Sequence, residues 1–337
     1  MKHPTRTTRT TRLAVPALAL ALALAATACA GGKQDDKGAA NSGKGGRLTI
    51  ATGPTTGVYY QIGGGLAELI SDNINGYRAT AATTGASVQN IQGLQAGSYD
   101  IAFSLLDTAQ DAVEGKGSFD KPQAVEALTR LYPNYTQILV RTDSGITSLQ
   151  DMKGKRVSTG APNSGTEVIA RRLLNAAGLD PAKDVAAQRL ALPESVDAMK
   201  DNTIDALIWS GGLPTGGVTD LVTSLKDKVR FLDVTTQLPA LSNTHGGVYQ
   251  KGIIPAAVYH QPADVPTIVV PNVLLVKKGF DPQLAGKIAD LVYAKKNALE
   301  KVNAAATEID PAQAGNTAPV PLNPGAANAL KTLTQTP

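Results

Sequence analysis

Four short stretches hold the residues most able to do chemistry: 52–57 (TGPTTG), 85–90 (GASVQN), 160–166 (GAPNSGT) and 210–214 (SGGLP). They are rich in Gly, Ser, Thr and Asn. Such residues offer hydrogen bonds and close backbone approach rather than proton transfer or nucleophilic attack. The third stretch is the most informative. A short strand over 156–158 should lead through it into a helix that starts near Thr166. Helix starts carry unpaired N–H groups and a partial positive charge, so this turn is a ready anion site. Asn163, Ser164 and Thr166 add side-chain groups around Gly165. A simpler reading stands beside it: Ser164 and Glu167 form a capping box. None of the four stretches contains Arg or Lys. A carboxylate would be held there by amides and hydroxyls, not by a guanidinium clamp. A neutral or zwitterionic ligand stays open on the same grounds.

Within these stretches the first contributes Thr52, Gly53, Thr56 and Gly57 as candidate ligand contacts. Tyr59 and Tyr60 open the helix that follows, placed either to cover a ligand or to pack. Ser87 is a ligand contact or an N-cap, with Asn90 one turn on. Asp107 follows an apolar strand, where it can receive an ammonium group or cap a helix. Trp209 ends a strand beside Gly211 and Pro214, as a cleft wall or as core. Enzyme readings are weak. Pro162 occupies the first Gly position that a G-x-S-x-G elbow around Ser164 would need. Beyond residue 29 the chain has only His245 and His260, with no metal-ligand spacing. There is no Walker loop, and Gly63, Gly64 and Gly65 lie inside a helix rather than in a dinucleotide turn. No enzyme activity, metal or cofactor is expected.

The surrounding pattern alternates strand and helix. Strands are predicted at 48–51, 78–84, 100–105, 125–130, 137–141, 156–158, 185–190, 206–209, 229–232 and 272–277. Helices are predicted at 58–71, 85–96 with its loop, 107–114, 166–177, 193–201, 220–226 and 282–302. Proline and glycine crowd 239–271, as at a crossing between domains. Alternation predicts an α/β protein with parallel sheet flanked by helices. In such sheets ligands sit beyond the carboxyl ends of the strands. Two of the four loops precede residue 144 and two follow it. Two domains facing each other across a cleft would bring all four together.

The first 29 residues read as targeting sequence. Lys2, Arg6, Arg9 and Arg12 precede an apolar run over 13–28. The run ends in Ala26-Thr27-Ala28-Cys29, with the only cysteine of the chain. The ending resembles the lipobox of bacterial lipoproteins, which implies lipidation of Cys29 and an anchor in the membrane. Removing the four leader cations from 32 leaves 28 basic residues against 28 acidic ones, so the net charge of +4 belongs to the leader. It is no argument for nucleic acid. Residues 30–46 read as a flexible tether.

Several longer motifs carry a family resemblance. TGPTTGVYYQIG, TTGASVQNI, LYPNYTQILVR, GITSLQDMKGKRVSTGAPNSGTEV, LPESVDAMKDNTIDALIWSGG and PLNPGA follow one another in order. This series resembles the TAXI family of extracytoplasmic solute-binding proteins. Two positions depart from the family: Leu105-Leu106 precedes Asp107 where Gln-Ser is frequent, and Asn323 replaces a usual His. The resemblance implies a two-lobed type II periplasmic-binding-protein fold with a ligand cleft between the lobes. Lobe 1 would comprise 47–143 plus 266–337, and lobe 2 would comprise 144–265. It also implies a small organic anion or amino acid as cargo, glutamate and 2-oxoglutarate being the family's type cases. The partner would be a TRAP-type permease, and the protein a monomer. The alternative is a sensing lipoprotein that presents its ligand-bound form to a membrane sensor kinase.

Overall fold

The computed structural model describes residues 45–333. The expected signal peptide, Cys29 and nearly all of the expected tether lie outside the described residues. The strands are β1 (Gly46–Ala51), β2 (Tyr77–Ala82), β3 (Ile101–Leu105), β4 (Val125–Arg141), β5 (Arg156–Ser158), β6 (Ala186–Gln188), β7 (Ala206–Gly211), β8 (Val229–Phe231), β9 (Gln250–Ile254) and β10 (Val265–Lys277). The helices are α1 (Val58–Asn73), α2 (Ser87–Ala96), α3 (Leu106–Glu114), α4 (Gly165–Ala176), α5 (Leu192–Lys200), α6 (Gly216–Leu225), α7 (Leu238–His245), α8 (Pro282–Ala294), α9 (Lys296–Val302) and α10 (Pro324–Leu333).

The strands form one sheet in the order β2-β1-β3-β10-β4-β7-β5-β6, with β8 on β4 and β9 on β10. At one end β2, β1 and β3 run parallel; at the other β7, β5 and β6 do. The two ends are joined by the antiparallel pair β4 and β10. Both joining strands run longer than the sequence pattern indicates. The segments at 125–130 and 137–141 are one strand of 17 residues. Pro133 between them has no N–H to donate, which reads as a strand break. In the sheet it pairs with Pro271, beside a register irregularity in β10. Just beyond it β7 takes up pairing on the other side of β4, with Tyr135–Val140. The ladder tolerates two prolines because it is already being interrupted.

Two further expectations change. The proline-rich crossing at 239–271 contains α7, and Pro239 lies in its first turn, where the missing N–H has no cost. The helix expected over 282–302 breaks at Lys295, whose φ of −116° and ψ of 21° leave the helical region.

α1 shows how sequence spacing becomes packing. Val58, Ile62, Leu66 and Ile70 recur at helical intervals and are all buried. Each such burial stabilises the fold by roughly 1.5–3 kcal/mol. Gly63 on the same face sits so close to β1 that a Cβ would lie 2.4 Å from Thr52 Cγ2. A second apolar cluster, including Met199, Leu207, Val218 and Leu221, supports the β7 end. Among the described residues no helix is long and apolar enough to cross a membrane.

Candidate functional site

Five of these helices start at one cavity. Gly57, Ala86, Leu105, Ser164 and Ala191 are the N-cap residues of α1, α2, α3, α4 and α5, and all five line it. The reason is topological. β1, β3 and β5 each feed a helix directly beyond their carboxyl ends, and both ends of the sheet present those ends to the same space. Only α4 has a side-chain cap: Ser164 Oγ accepts from Glu167 N at 2.9 Å. α1, α2, α3 and α5 have none. Each helix start carries roughly half a positive charge. No acidic or basic side chain lines the cavity to oppose it.

The two sides touch directly. Gln89 N donates to Asn163 O at 3.0 Å, and Gly217 N to Thr56 O at 3.4 Å. Gly165 comes so close to the facing side that a Cβ would lie 2.6 Å from both Leu105 Cδ1 and Ser87 Oγ. The space enclosed is about 30 Å³, room for roughly two water-sized spheres.

A chain of buried hydrogen bonds runs under the cavity through the two long strands. Tyr59 Oη donates to Asn272 Oδ1. Asn272 Nδ2 donates to Asn134 Oδ1 at 2.7 Å and to Tyr132 O at 2.8 Å. Asn134 Nδ2 donates to Ser210 O at 3.4 Å. Burial, reinforced by the charge of Asp107, pushes the Tyr59 phenol well above its ordinary pKa, so it stays a neutral donor. Ser210 lines the cavity and is 6% exposed, and its Oγ has no hydrogen-bond partner. Ala86 adopts φ 83°, ψ −146°, a region costly for any residue with a Cβ. That strain sits in the cavity wall, at the start of α2.

A family model described as "NMT1-like family" matches residues 50–332. The chain belongs to the NMT1-like family. Among solved structures it is similar to the binding-protein component of an ABC phosphonate transporter from Pseudomonas aeruginosa, at 15% identity and a TM-score of 0.54, over 87% of this chain and 95% of that one. It is also similar to a protein from Bordetella bronchiseptica RB50, at 18% identity and a TM-score of 0.51, over 86% and 92%. A third is the alkanesulfonate-binding protein SsuA from Xanthomonas axonopodis pv. citri bound to MOPS, at 15% identity and a TM-score of 0.48, over 86% and 85%. The fold is the mixed α/β periplasmic-binding-protein fold.

In this NMT1-like protein the residues singled out from sequence divide into two groups. Gly57, Tyr59, Ser87, Ser164, Gly165, Thr166, Trp209 and Gly211 line the cavity. Thr52, Gly53, Thr56, Tyr60, Asn90, Asp107, Asn163 and Pro214 are not in its lining. Several of the second group are occupied elsewhere. Asn90 Nδ2 donates to Thr52 O at 2.7 Å and Phe103 O at 2.8 Å, tying β1 to β3. Thr52 Oγ1 donates to Ala82 O at 2.6 Å. Asn163 is exposed, and its N–H donates to Glu167 Oε2 at 2.8 Å. Asp107 pairs with Arg172 at 3.1 Å and accepts from the Tyr249 hydroxyl, so its carboxylate is already engaged.

Sequence reasoning missed Asn134, Asn272 and Ser210. Ser210 stood in a selected loop without being chosen. Asn134 lay in a stretch read as a strand break, with Pro133 before it and Thr136 and Gln137 just beyond, and no signal set it apart. Asn272 opened a predicted strand and carried none.

Proposed function

We propose that this protein captures a small organic anion outside the cell membrane and delivers it to a TRAP-type permease, as a solute-binding protein of the TAXI type. One observation carries the reading: five helix starts from both ends of a single sheet converge on an uncharged cavity with direct contacts across it. Gly57, Tyr59, Ser87, Ser164, Gly165, Thr166, Trp209 and Gly211 are the proposed ligand contacts, with Ser210 and Asn134 added. The proposed lobes are 47–143 plus 266–337 and 144–265, with β4 and β10 as the connection that bends. Cys29 is the proposed anchor point.

A cavity of about 30 Å³ is far below the roughly 150 Å³ that accommodates a benzene ring. A solute of several carbons therefore enters by parting the two sides, and the bound form closes around it. The test is to denature the protein purified from its native host and identify the released small molecules by mass spectrometry. One organic anion near stoichiometric ratio is expected. A released cofactor or nucleotide would overturn the reading.

A further inference from the structure

Resting on that capture reading, we infer that Trp209 is a specificity-determining residue: its indole packs on the carbon chain of the solute and sets how long that chain can be. Trp209 stands on β7, is half-buried and lines the cavity. Its Nε1–H donates to Thr215 Oγ1 at 3.2 Å. Thr215 is fully buried, its Oγ1 donates to Gly212 O at 2.7 Å, and its N–H donates to the Tyr259 hydroxyl at 2.8 Å. The indole N–H is thus engaged within the protein, and the ring offers a solute carbon surface alone. Such surface rewards an apolar chain and gives a buried charge no partner.

The far end of the ring reaches the opposite side of the cavity. A Cβ built on Gly57, the N-cap of α1, would lie 3.4 Å from both Cζ2 and Cη2 of Trp209. Gly57 has φ −93° and ψ 158°, an extended conformation open to any residue. Its backbone does not call for glycine; the space in front of the indole does. Gly211 makes room for the ring as well, since a Cβ there would lie 2.3 Å from Trp209 Nε1. Two glycines and Thr215 therefore hold one indole across the cavity, from β7 to the start of α1. The polar lining residues Ser87, Ser164, Thr166, Ser210 and Asn134 supply both donors and acceptors for the head of a solute. Chain length is then set separately, at the indole.

The full chain is titrated by calorimetry with three straight-chain series that differ in their heads: monocarboxylates of two to eight carbons, dicarboxylates of three to eight, and L-2-amino acids of three to seven. Within a series that binds, each methylene packed on the indole should tighten binding about fourfold, up to a length beyond which affinity falls. Trp209→Leu keeps an apolar wall but shortens it, and should move the best length to a longer chain. Thr215 Oγ1 still has Gly212 O in that variant, so no buried hydroxyl is orphaned. Gly57→Ala adds a methyl against the indole and should weaken the longest wild-type ligand about fourfold. Trp209 is the single tryptophan of the chain, so every solute that binds should also change the tryptophan emission of the wild type. One best length shared by the wild type and both variants, or binding that leaves the emission unchanged, overturns the role of Trp209 and leaves the capture reading standing. No binding in any series, by protein that melts cooperatively, overturns the capture reading and this inference with it.

Discussion

At the scale of single residues, Ser164 does two compatible jobs. Its Oγ accepts the Glu167 amide at the start of α4, the capping arrangement visible in the sequence. The Glu167 carboxylate returns to the N–H of Asn163 rather than to that of Ser164, so the box closes one residue early. A hydroxyl that accepts one bond can still donate another, and Ser164 also lines the cavity. Ser164→Ala should therefore lower stability by about 1 kcal/mol, seen as a melting shift of roughly 2–4 °C. It should also weaken solute binding by about tenfold in folded protein. A thermal melt and a titration separate the two effects. Normal affinity with a lowered melting temperature would leave Ser164 as a cap alone.

At the scale of elements, a buried ion cluster joins α3 to α4 on opposite sides of the cavity. Arg172 on α4 reaches Asp107 at 3.1 Å and Asp111 at 2.5 Å, both on α3. It also donates to the Tyr249 hydroxyl at 2.8 Å. Burial alone would lower the Arg172 pKa, but the charge of Asp107 beside it raises it overall. Burial raises Asp111 above its ordinary value, with Arg172 opposing. Arg172→Met should cost about 3–5 kcal/mol at neutral pH, because two buried carboxylates lose their cation. The pH dependence has a definite sign. A carboxylate whose folded pKa is raised favours folding in acid, and that contribution is lost as pH rises through the folded value. Removing Arg172 raises Asp111 further, so the deficit of the mutant should shrink toward acid pH. Urea midpoints at pH 7 and pH 5 check this, and a deficit that grows in acid would refute it. The same substitution should also increase the radius of gyration measured by X-ray scattering. An unchanged radius would mean that the direct contacts at Asn163 and Gly217 hold the two sides together without the bridge.

At the scale of the whole molecule, the proposed anchor gives a prediction independent of the cavity. Cys29→Ser should prevent acylation and move the protein from the detergent phase to the aqueous phase on partitioning. Wild-type partitioning in the mutant would remove the lipid anchor and leave the folded part untouched. The charge bears on location too. Without the leader the chain has equal numbers of basic and acidic residues, so no net attraction to an anionic surface would replace the lost lipid.

Most of the alternation of strand and helix, and the loops at 52–57, 85–90 and 160–166 with the helix starts after them, were legible in sequence; α7, β9 and the start of α6 at Gly216 were not. The legible features depend on local periodicity and on small residues where the chain turns. The sequence alone thus determined the α/β class and four loops able to approach a ligand. Tertiary structure decided which residues of those loops face one another. Asp107 and Asn90 have types suited to ligand contact, yet packing committed them to Arg172 and to the β1–β3 junction. Asn134, Asn272 and Ser210 became site residues because β4, β7 and β10 lie side by side, through pairings between strands far apart in the chain. No local pattern encodes such long-range pairing. It arises when both ends of the sheet bury their apolar faces around two shared strands, and that burial also aims five helix starts at one cavity.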